Sequence, residues 1–437
     1  MEEILSFPLH LFRLGLWRLG QSSLVLRPRG GPVIAVDPLL TDSLPETPPA
    51  RRRRIPPPFP PERLEAGVVV VTHNHPDHFD AGVLSSASLR AGAMFLGPAS
   101  VLDRLSRLGV PAARLVRFDA GMVWKEGGVV LESVRAHHTP DVADAIGFVM
   151  TIEGGPRTYV TGDTGRDDAL KGVGPVDILA VPINGKLGNM GVEGAARLAG
   201  ELKARWVVPV HYDLFAMNGE DPEAFVFFME MAGLEERACV LPVMQPLLIG
   251  DSGAGVRITR PLVMTWVRGS AAPAVSLPPG YRFRGFRETD AGELGELYRR
   301  TMGPGYDATW FRREILGSKV FTPDRVVVVE HGGAVVSAGL AWEDGGHRMP
   351  PGHGFMYMVA TAPEHHRRGL AKAVAAAIQG WFKAHGRPGV SLVADDWRLR
   401  SIRAYTAMGF VPDESDEETR LRWANVRTAL EAAESGL

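Results

Sequence analysis

Cysteine is nearly absent from the sequence, and this scarcity limits its chemistry. Cys239 is the single cysteine among 437 residues, which excludes an intrachain disulfide and a cluster of thiolate metal ligands. A chain that needs no disulfide fits a reducing compartment, so we expect a cytoplasmic protein.

Long apolar runs and an excess of one charge are also lacking. No apolar stretch is long enough to cross a bilayer, and Arg13 and Arg18 interrupt the N-terminal apolar stretch, which is unlike a secretory signal. The 48 Lys and Arg residues nearly balance the 50 Asp and Glu residues. We therefore expect neither nucleic acid nor membrane as a partner. The expected partners are small-molecule substrates. Whether the chain forms an oligomer stays open.

The length of the chain predicts two domains, because one hydrophobic core rarely serves this many residues. The composition changes after about residue 249, and a stretch rich in Gly, Ser, Ala and Pro follows. We predict a first domain over residues 1–265, a linker over 266–280, a second domain over 281–425 and a C-terminal tail over 426–437.

A dense polar motif directly follows the apolar run 68–71, which predicts a buried strand. Six consecutive positions contain His73, His75, Asp77 and His78. Imidazole and carboxylate are the ligands of borderline divalent metals, and the loop at a strand end can hold several of them around one point. The spacing therefore predicts a metal site, whereas a polar loop with coincidental histidines is the alternative.

Later predicted strands in the same domain also end in polar residues: His137 and His138, then Asp163, then His211. We predict that three histidines form one metal site and that Asp163 bridges it to a second. The ligands of the second site are predicted to be Asp77, His78 and His211. Two neighbouring ions can share a hydroxide that acts as nucleophile near neutral pH, so no serine or cysteine nucleophile is needed.

Four motifs in this order, Thr-His-Asn-His-Pro-Asp-His, His-Thr-Pro, Thr-Gly-Asp-Thr and Pro-Val-His, resemble the metallo-β-lactamase superfamily over roughly residues 1–250. Segments 36–40, 182–185 and 211–215 look like the branch that contains L-ascorbate-6-phosphate lactonase. The resemblance implies an αββα sandwich, a metal-dependent hydrolase of a lactone or ester that can carry a phosphate, and two manganese or zinc ions. It favours His138 over His137 as a ligand, and we also assign Asp77 a catalytic role.

Three other features of this domain have two interpretations each. Asp37 either orients a metal ligand or is an ordinary turn residue before proline. Arginines 51–54 either bind an anionic substrate group or form a solvated basic loop. Asn184 either contacts a substrate oxygen or makes a tight turn with Gly185.

The second domain contains a basic turn between a predicted strand, 354–361, and a predicted alanine-rich helix that ends near residue 385. The backbone N–H groups and the positive dipole end of such a helix attract an anion. Arg367 and Arg368 add charge, and Gly369 lets a phosphate approach the backbone. The pattern predicts a phosphate-binding turn.

With the strand 390–393 and the segment 401–410, this order resembles the GNAT family of acetyl-CoA-dependent N-acetyltransferases over residues 281–425. The resemblance implies a mixed α/β domain that binds pantetheine on the strand and pyrophosphate on the turn, with Tyr405 protonating the departing thiolate. His366 stands where the family usually has Gln or Arg, and Ala371 where Gly is frequent. The implied cofactor-binding residues are Met358, Val359, Thr361, His366, Arg367, Arg368, Gly369, Leu370 and Ala371.

The sequence therefore predicts a bifunctional enzyme in which a metal-dependent hydrolase is fused to an acetyl-CoA-dependent N-acetyltransferase that acts on an amine. One alternative is that the GNAT-like domain only binds coenzyme A and regulates the hydrolase. Another is that the metal domain is a phosphodiesterase or nuclease. For the general base of acetyl transfer, Glu343, Asp395, Asp396 and a water relay stay open.

Overall fold

The computed structural model describes residues 1–42, 53–86, 89, 92–251, 253–258, 260–267, 276–303, 305–343 and 349–435. The chain divides into two compact units, Met1–Thr259 and Arg260–Leu437. Among the helices in the described ranges, none is both long and apolar enough to span a membrane.

The first sheet of unit 1 has eight strands in the order β14-β13-β1-β2-β3-β4-β5-β6. Strands β3 to β6 run parallel, and the other neighbours pair antiparallel. All of Val68–Val70 is buried, as expected for a parallel strand between two neighbours. The strands are β1 Leu14–Gly20, β2 Ser23–Pro28, β3 Ile34–Val36, β4 Val68–Val70, β5 Met94–Gly97, β6 Leu115–Arg117, β13 Pro246–Ile249 and β14 Gly255–Arg257.

The second sheet of unit 1 has six strands in the order β12-β11-β10-β9-β8-β7. Strands β10, β11 and β12 are parallel, whereas β7 to β10 pair antiparallel. These strands are β7 Val123–Glu126, β8 Val129–Arg135, β9 Ile146–Ile152, β10 Arg157–Val160, β11 Ile178–Pro182 and β12 Trp206–Val210.

Helices cover the outer faces of the two sheets. Side chains such as Leu16 and Ile34 from the first sheet pack against Phe148 and Ile178 from the second, which forms the central core. A second core lies between the other face of the second sheet and two helices, so the predicted αββα sandwich is confirmed. The helices are α1 Glu2–Ser6, α2 Ala81–Leu84, α3 Ala99–Arg107, α4 Val192–Glu201 and α5 Pro222–Met231.

Unit 2 is a seven-stranded sheet in the order β16-β17-β18-β19-β20-β15-β21, with helices on both faces. This arrangement confirms the predicted mixed α/β domain. Its strands are β15 Leu262–Val267, β16 Tyr281–Arg284, β17 Val326–His331, β18 Ala334–Trp342, β19 Gly354–Thr361, β20 Gly389–Ala394 and β21 Val411–Pro412. Its helices are α6 Ala291–Met302, α7 Ala308–Trp310, which continues as a π-helix over Phe311–Leu316, α8 Leu370–Ala384, α9 Leu399–Thr406 and α10 Glu417–Ser435.

The boundary between the units requires a correction. The predicted first domain ends at residue 265, and the predicted linker begins at residue 266. Strand β15, Leu262–Val267, crosses this predicted boundary. That strand pairs with β20 from Leu262 to Val267 and with β21 at two positions, so it belongs to unit 2. Residues 268–275 of the predicted linker lie outside the described residues.

The predicted tail over residues 426–437 is also corrected as far as the structure describes it. Residues 426–435 continue α10, in which Trp423, Val426 and Ala429 are buried. Because these positions recur at the spacing of one helical face, the helix packs on the core of unit 2.

Candidate functional site

All seven predicted metal ligands of unit 1 come together in the structure. Four of them follow β4, and His138, Asp163 and His211 follow β8, β10 and β12 respectively. Since each ligand sits just beyond the end of a buried strand, the two sheets hold them in place. Seven side chains from the ends of four strands therefore meet at one place.

Three histidines form one group. His75 Nδ1 lies 3.1 Å from His73 Nε2 and 3.2 Å from His138 Nε2. Burial lowers the pKa of His73 and of His138, which keeps these imidazoles neutral and able to act as metal ligands. By contrast, the half-exposed His137 lies 3.4 Å from Asp167, outside this group, in agreement with the choice of His138.

The second group contains Asp77, His78 and His211, and Asp163 lies between the two groups. His211 Nε2 is 3.2 Å from Asp77 Oδ2 and 3.0 Å from Asp163 Oδ2. The other oxygen of Asp163 is 3.4 Å from His78 Nε2, and Asp163 Oδ2 is 3.9 Å from His138 Nε2. This is the position that a bridging carboxylate would take.

Two features of this cluster fit divalent cations. His78 Nε2 and Asp163 Oδ1 are buried, and neither has a hydrogen-bond partner in the part of the chain that the structure describes. Burial opposes ionisation of Asp163, but His211 and His78 hold its pKa well below the usual range. Burial likewise acts against protonation of His211, while Asp163 raises its pKa to about 9. The buried carboxylates thus demand positive charge, which bound metal ions would supply.

Asp37 orients one of these histidines. Its Oδ2 accepts a hydrogen bond from His78 Nδ1 at 2.8 Å and another from Thr72 Oγ1 at 2.6 Å. Its Oδ1 accepts from the backbone N–H of Thr72 at 2.7 Å. The structure therefore supports the first of the two interpretations, because the carboxylate fixes the ring and leaves Nε2 facing the cluster.

Three further residues contact the predicted ligands but were not predicted from the sequence to belong to the site. Gln21 Nε2 donates to Asp77 Oδ2 at 3.0 Å and is equally close to His211 Nε2. Asn189 Nδ2 donates to Asp163 Oδ2 at 2.7 Å. Asp141 contacts His75 Nε2 at 2.9 Å, and its place two residues after Thr139 in the His-Thr-Pro motif was the one available signal.

A cleft of about 260 Å³ opens onto the cluster. Its rim includes Leu187, which is 58% exposed and has φ 53°. Asn184 is buried and pairs with Gly191, and it is not among the described residues that line the cleft. Its side-chain Oδ1 and Nδ2 have no hydrogen-bond partner among the described residues, so neither interpretation of Asn184 is confirmed. The lining residues are His75, Asp77, His138, Thr139, Asp141, Asp163, Leu187, Asn189 and His211.

The guanidinium of one arginine of the basic run 51–54 makes hydrogen bonds within the protein. Arg53 donates to the carbonyl oxygens of Ile55, Thr41 and Leu39. These bonds hold the loop backbone and use three of the five N–H donors of the Arg53 guanidinium. Arg51 and Arg52 lie outside the described residues.

In unit 2, strands β19 and β20 separate at the part of β19 that is predicted to bind the cofactor. They pair at Gly354↔Val390 and Phe355↔Ser391, and β19 then changes register against β18. Met358 has φ 54°, a left-handed conformation that is rare for such a side chain. The predicted pantetheine-binding residues Met358, Val359 and Thr361 lie on this diverging part of β19.

The predicted phosphate-binding turn joins β19 to α8. His366 Nε2 hydrogen-bonds the carbonyl of Thr361 at 2.9 Å and so ties the turn to the strand end. Gly369, at φ 76°, precedes the first residue of α8, Leu370, and Arg367 has φ 60°. The remaining predicted residues, Arg368 and Ala371, are exposed beside it.

Tyr405 and the three candidate bases lie in different surroundings. Tyr405 packs its ring against Phe410 at 5.8 Å, and burial raises its pKa to about 12. Asp395 pairs with Arg398, and Asp396 pairs with the fully buried Arg422 at 2.6 Å. The carboxylate of Glu343 binds both Arg325 and Arg387. All three carboxylates are paired with arginine. Burial opposes ionisation of Glu343, but Arg325 and Arg387 lower its pKa.

Comparison with known proteins gives the same division of the chain. Residues 34–212 match the family model "Beta-lactamase superfamily domain", and residues 292–410 match "Acetyltransferase (GNAT) family". A UPF0173 metal-dependent hydrolase of Methanosphaera stadtmanae is 33% identical over 179 residues, which are 38% of this chain and 74% of the relative. Another from Pyrobaculum neutrophilum is 35% identical over 162 residues, 36% of this chain and 70% of that protein.

A solved metallo hydrolase of Ignicoccus hospitalis aligns with 56% of this chain and 99% of its own, at 23% identity and a TM-score of 0.43. The curated relatives carry the family assignment, because both exceed 30% identity over more than two thirds of their length. Through its first unit the chain belongs to the UPF0173 metal-dependent hydrolases of the β-lactamase superfamily, and its second unit is a GNAT acetyltransferase domain.

Proposed function

We propose that unit 1 hydrolyses a lactone or related ester with two divalent ions. The observation that carries the proposal is the position of Asp163 between a group of three histidines and the group of Asp77, His78 and His211. When bound, such ions lower the pKa of water and polarise a carbonyl oxygen. The choice of a lactone rests on the resemblance of segments 36–40, 182–185 and 211–215.

The protein's own groups complete the site. Burial disfavours the charge on Asp77, but His78 and His211 keep its pKa far below the usual range, so it stays ionised and available to bind a cation. Gln21 fixes the direction of that carboxylate, and Asn189 does the same for Asp163. The Oδ1 atom of Asn189, buried at the cleft, has no partner among the described residues and can accept a hydrogen bond from a substrate hydroxyl.

Metal removal and restoration test this proposal. The chain treated with a chelator should lose hydrolysis of sugar-phosphate lactones, and manganese or zinc should restore it, with the better metal identifying the physiological one. His73→Ala should lose at least one ion and most of the activity, whereas His10→Ala, an exposed histidine, should change neither. Activity of His73→Ala with its full metal content would refute the site.

A panel that pairs lactones with bis(p-nitrophenyl) phosphate tests the alternative chemistry. We expect lactone opening to dominate, on the resemblance of segments 36–40, 182–185 and 211–215 to the lactonase branch. Faster cleavage of the phosphodiester would identify the domain as a phosphodiesterase.

For unit 2 we propose acetyl transfer from acetyl-CoA to an amine. The turn from Thr361 to Leu370 carries this proposal, because backbone N–H groups at a helix start, Gly369 and two exposed arginines form one anion-binding surface. Tyr405, kept protonated by its raised pKa, would donate a proton to the coenzyme A thiolate as it leaves.

Calorimetry with coenzyme A and a thiol-release assay test the second activity. We expect coenzyme A to bind the full chain and acetyl-CoA turnover to depend on an added amine. Tyr405→Phe should keep coenzyme A affinity and lose transfer. Binding without transfer to any amine would instead favour the regulatory module.

A further inference from the structure

A group of aromatic side chains in unit 2 has no role in the functions described so far. The rings of Tyr306 and Trp310 meet edge to face at 5.0 Å, and Trp310 lies 6.3 Å from Tyr298. Trp342 and Tyr357 are 6.4 Å apart in the same hydrophobic cluster. We call Tyr298, Tyr306, Trp310, Trp342 and Tyr357 the aromatic wall.

The aromatic wall borders the strand that was predicted to bind pantetheine. Tyr357 directly precedes Met358, where β19 adopts φ 54°, and it pairs with Leu340 of β18. Along β19, the pairing with β20 ends at Phe355. Tyr357 therefore stands where β19 and β20 diverge, next to the residues proposed to hold the reactive end of acetyl-CoA.

The aromatic wall also contains one buried polar atom that lacks a protein partner among the described residues. The hydroxyl of Tyr298 is buried without a hydrogen-bond partner in the described part of the chain, an arrangement that is costly unless a ligand or water completes it. Burial, followed by the proximity of Tyr306 and Glu314, raises the pKa of Tyr357.

Core packing explains only part of this arrangement. The ring of Tyr298 stacks on Phe311 at 6.0 Å, as core aromatics do. Tyr306, Trp310 and Tyr357, however, are only partly buried, so part of each of these side chains is exposed to solvent. Glu314 is exposed and already binds Arg313 at 2.6 Å, so an ion pair with this residue is not the main element of recognition.

We propose that the aromatic wall binds the acetyl acceptor as an ammonium cation, an inference that rests on the acetyltransferase function proposed above. Ring faces of Trp and Tyr attract an ammonium group through their negative electrostatic potential. The phenol oxygens accept hydrogen bonds from its N–H groups. The acceptor class is therefore a cationic primary amine attached to an apolar or aromatic group, not a neutral amide or an alcohol.

The bound ammonium must lose a proton before it reacts. That proton goes to solvent, because Glu343, Asp395 and Asp396 are occupied by arginines. The neutral nitrogen then attacks the thioester carbonyl carbon, the C–N bond forms and the C–S bond breaks. The thiolate takes a proton from Tyr405, and the second proton of the nitrogen returns to Tyr405 through solvent.

Binding of benzylammonium chloride and of benzyl alcohol to the full-length protein tests the inference. The two probes have nearly the same shape and differ in charge. By NMR titration, with and without coenzyme A, we expect benzylammonium to bind about fivefold tighter or more, as a cation over aromatic faces should. Trp310→Leu should abolish the difference, and Trp310→Phe should retain part of it.

Phe227→Leu is the matched control, since Phe227 is an exposed aromatic residue of unit 1. It should leave the preference for the cation unchanged, and all variants should keep the affinity for coenzyme A. Equal affinity of the wild type for the two probes, or an unchanged preference in Trp310→Leu, would overturn the inference. Failure of coenzyme A to bind would contradict the acetyltransferase function separately, because the probe preference is also measured without coenzyme A.

Discussion

At the scale of the residue, Asp37 determines the orientation of the His78 ring in the proposed metal site. Its carboxylate accepts three hydrogen bonds, from His78 and from the backbone and side chain of Thr72. The residue also has φ 42°, a conformation that asparagine tolerates at least as well as aspartate. Asparagine is therefore a suitable replacement for testing the carboxylate alone.

We predict that Asp37→Asn weakens metal binding about tenfold to a hundredfold. The amide nitrogen would face one of three donors, so the His78 ring would lose its fixed orientation. Competition with a metal-chelating dye measures the affinity, and Asp103→Asn, an exposed aspartate on α3, serves as the control. Equal affinities for Asp37→Asn and the wild type would show that His78 is oriented by other contacts.

Tyr405 gives a prediction about pH. Burial raises its pKa from the ordinary value of 10.0 to about 12, so the neutral proton-donating form persists as the pH rises through 10.0 and is lost only near 12. The rate of acetyl transfer should therefore show no decline around the ordinary tyrosine pKa. A decline of the wild-type rate centred at the ordinary tyrosine pKa of 10.0 would mean that the phenol is not shielded from solvent.

At the scale of the element, the start of α8 depends on the left-handed conformation of Gly369. A Cβ atom at this position would meet nothing within 4 Å, and φ is +76°. The obstacle to any other residue is thus backbone strain, of roughly 1 to 2 kcal/mol, and not a clash. Without that conformation the turn cannot aim its N–H groups at a phosphate.

Gly369→Ala should therefore lower coenzyme A affinity about tenfold, a loss that corresponds to the strain energy. Gly380→Ala is the matched control, because Gly380 is an exposed residue inside the same helix with open space around it. It should keep the affinity and gain up to about 1 kcal/mol in the free energy of unfolding. Calorimetry and denaturant unfolding measure both effects, and equal affinities for the two variants would argue against a phosphate at this turn.

The sequence predicts elements whose signals are local and misses those that depend on distant partners. The seven metal ligands were found because each follows an apolar strand in a recognisable motif. Gln21 and Asn189 resemble ordinary turn amides, and their contacts with Asp77 and Asp163 arise only when separate strands meet. The residues of β15, Leu262–Val267, are mostly apolar, but they do not indicate which sheet the strand joins.

At the scale of the whole molecule, β15 decides where unit 2 begins. It lies between β20 and β21 in the sheet and buries Leu262, Met264 and Trp266 in the core of that unit. A chain that starts after β15 would leave β20 without one of its two neighbours and would expose the core face that these side chains cover. The residues that precede the predicted acetyltransferase domain are therefore part of its fold.

We predict that a fragment of residues 260–437 folds and binds coenzyme A, whereas residues 276–437 do not form a stable domain. In the full chain, Trp266→Ala should cost about 3 to 5 kcal/mol of unfolding free energy in unit 2, as removal of a buried tryptophan does. Trp124→Ala, at a partly buried tryptophan of unit 1, controls for the loss of an indole and should leave coenzyme A affinity intact. Cooperative unfolding and full coenzyme A binding by residues 276–437 would show that β15 is dispensable and that the acetyltransferase fold is complete without it.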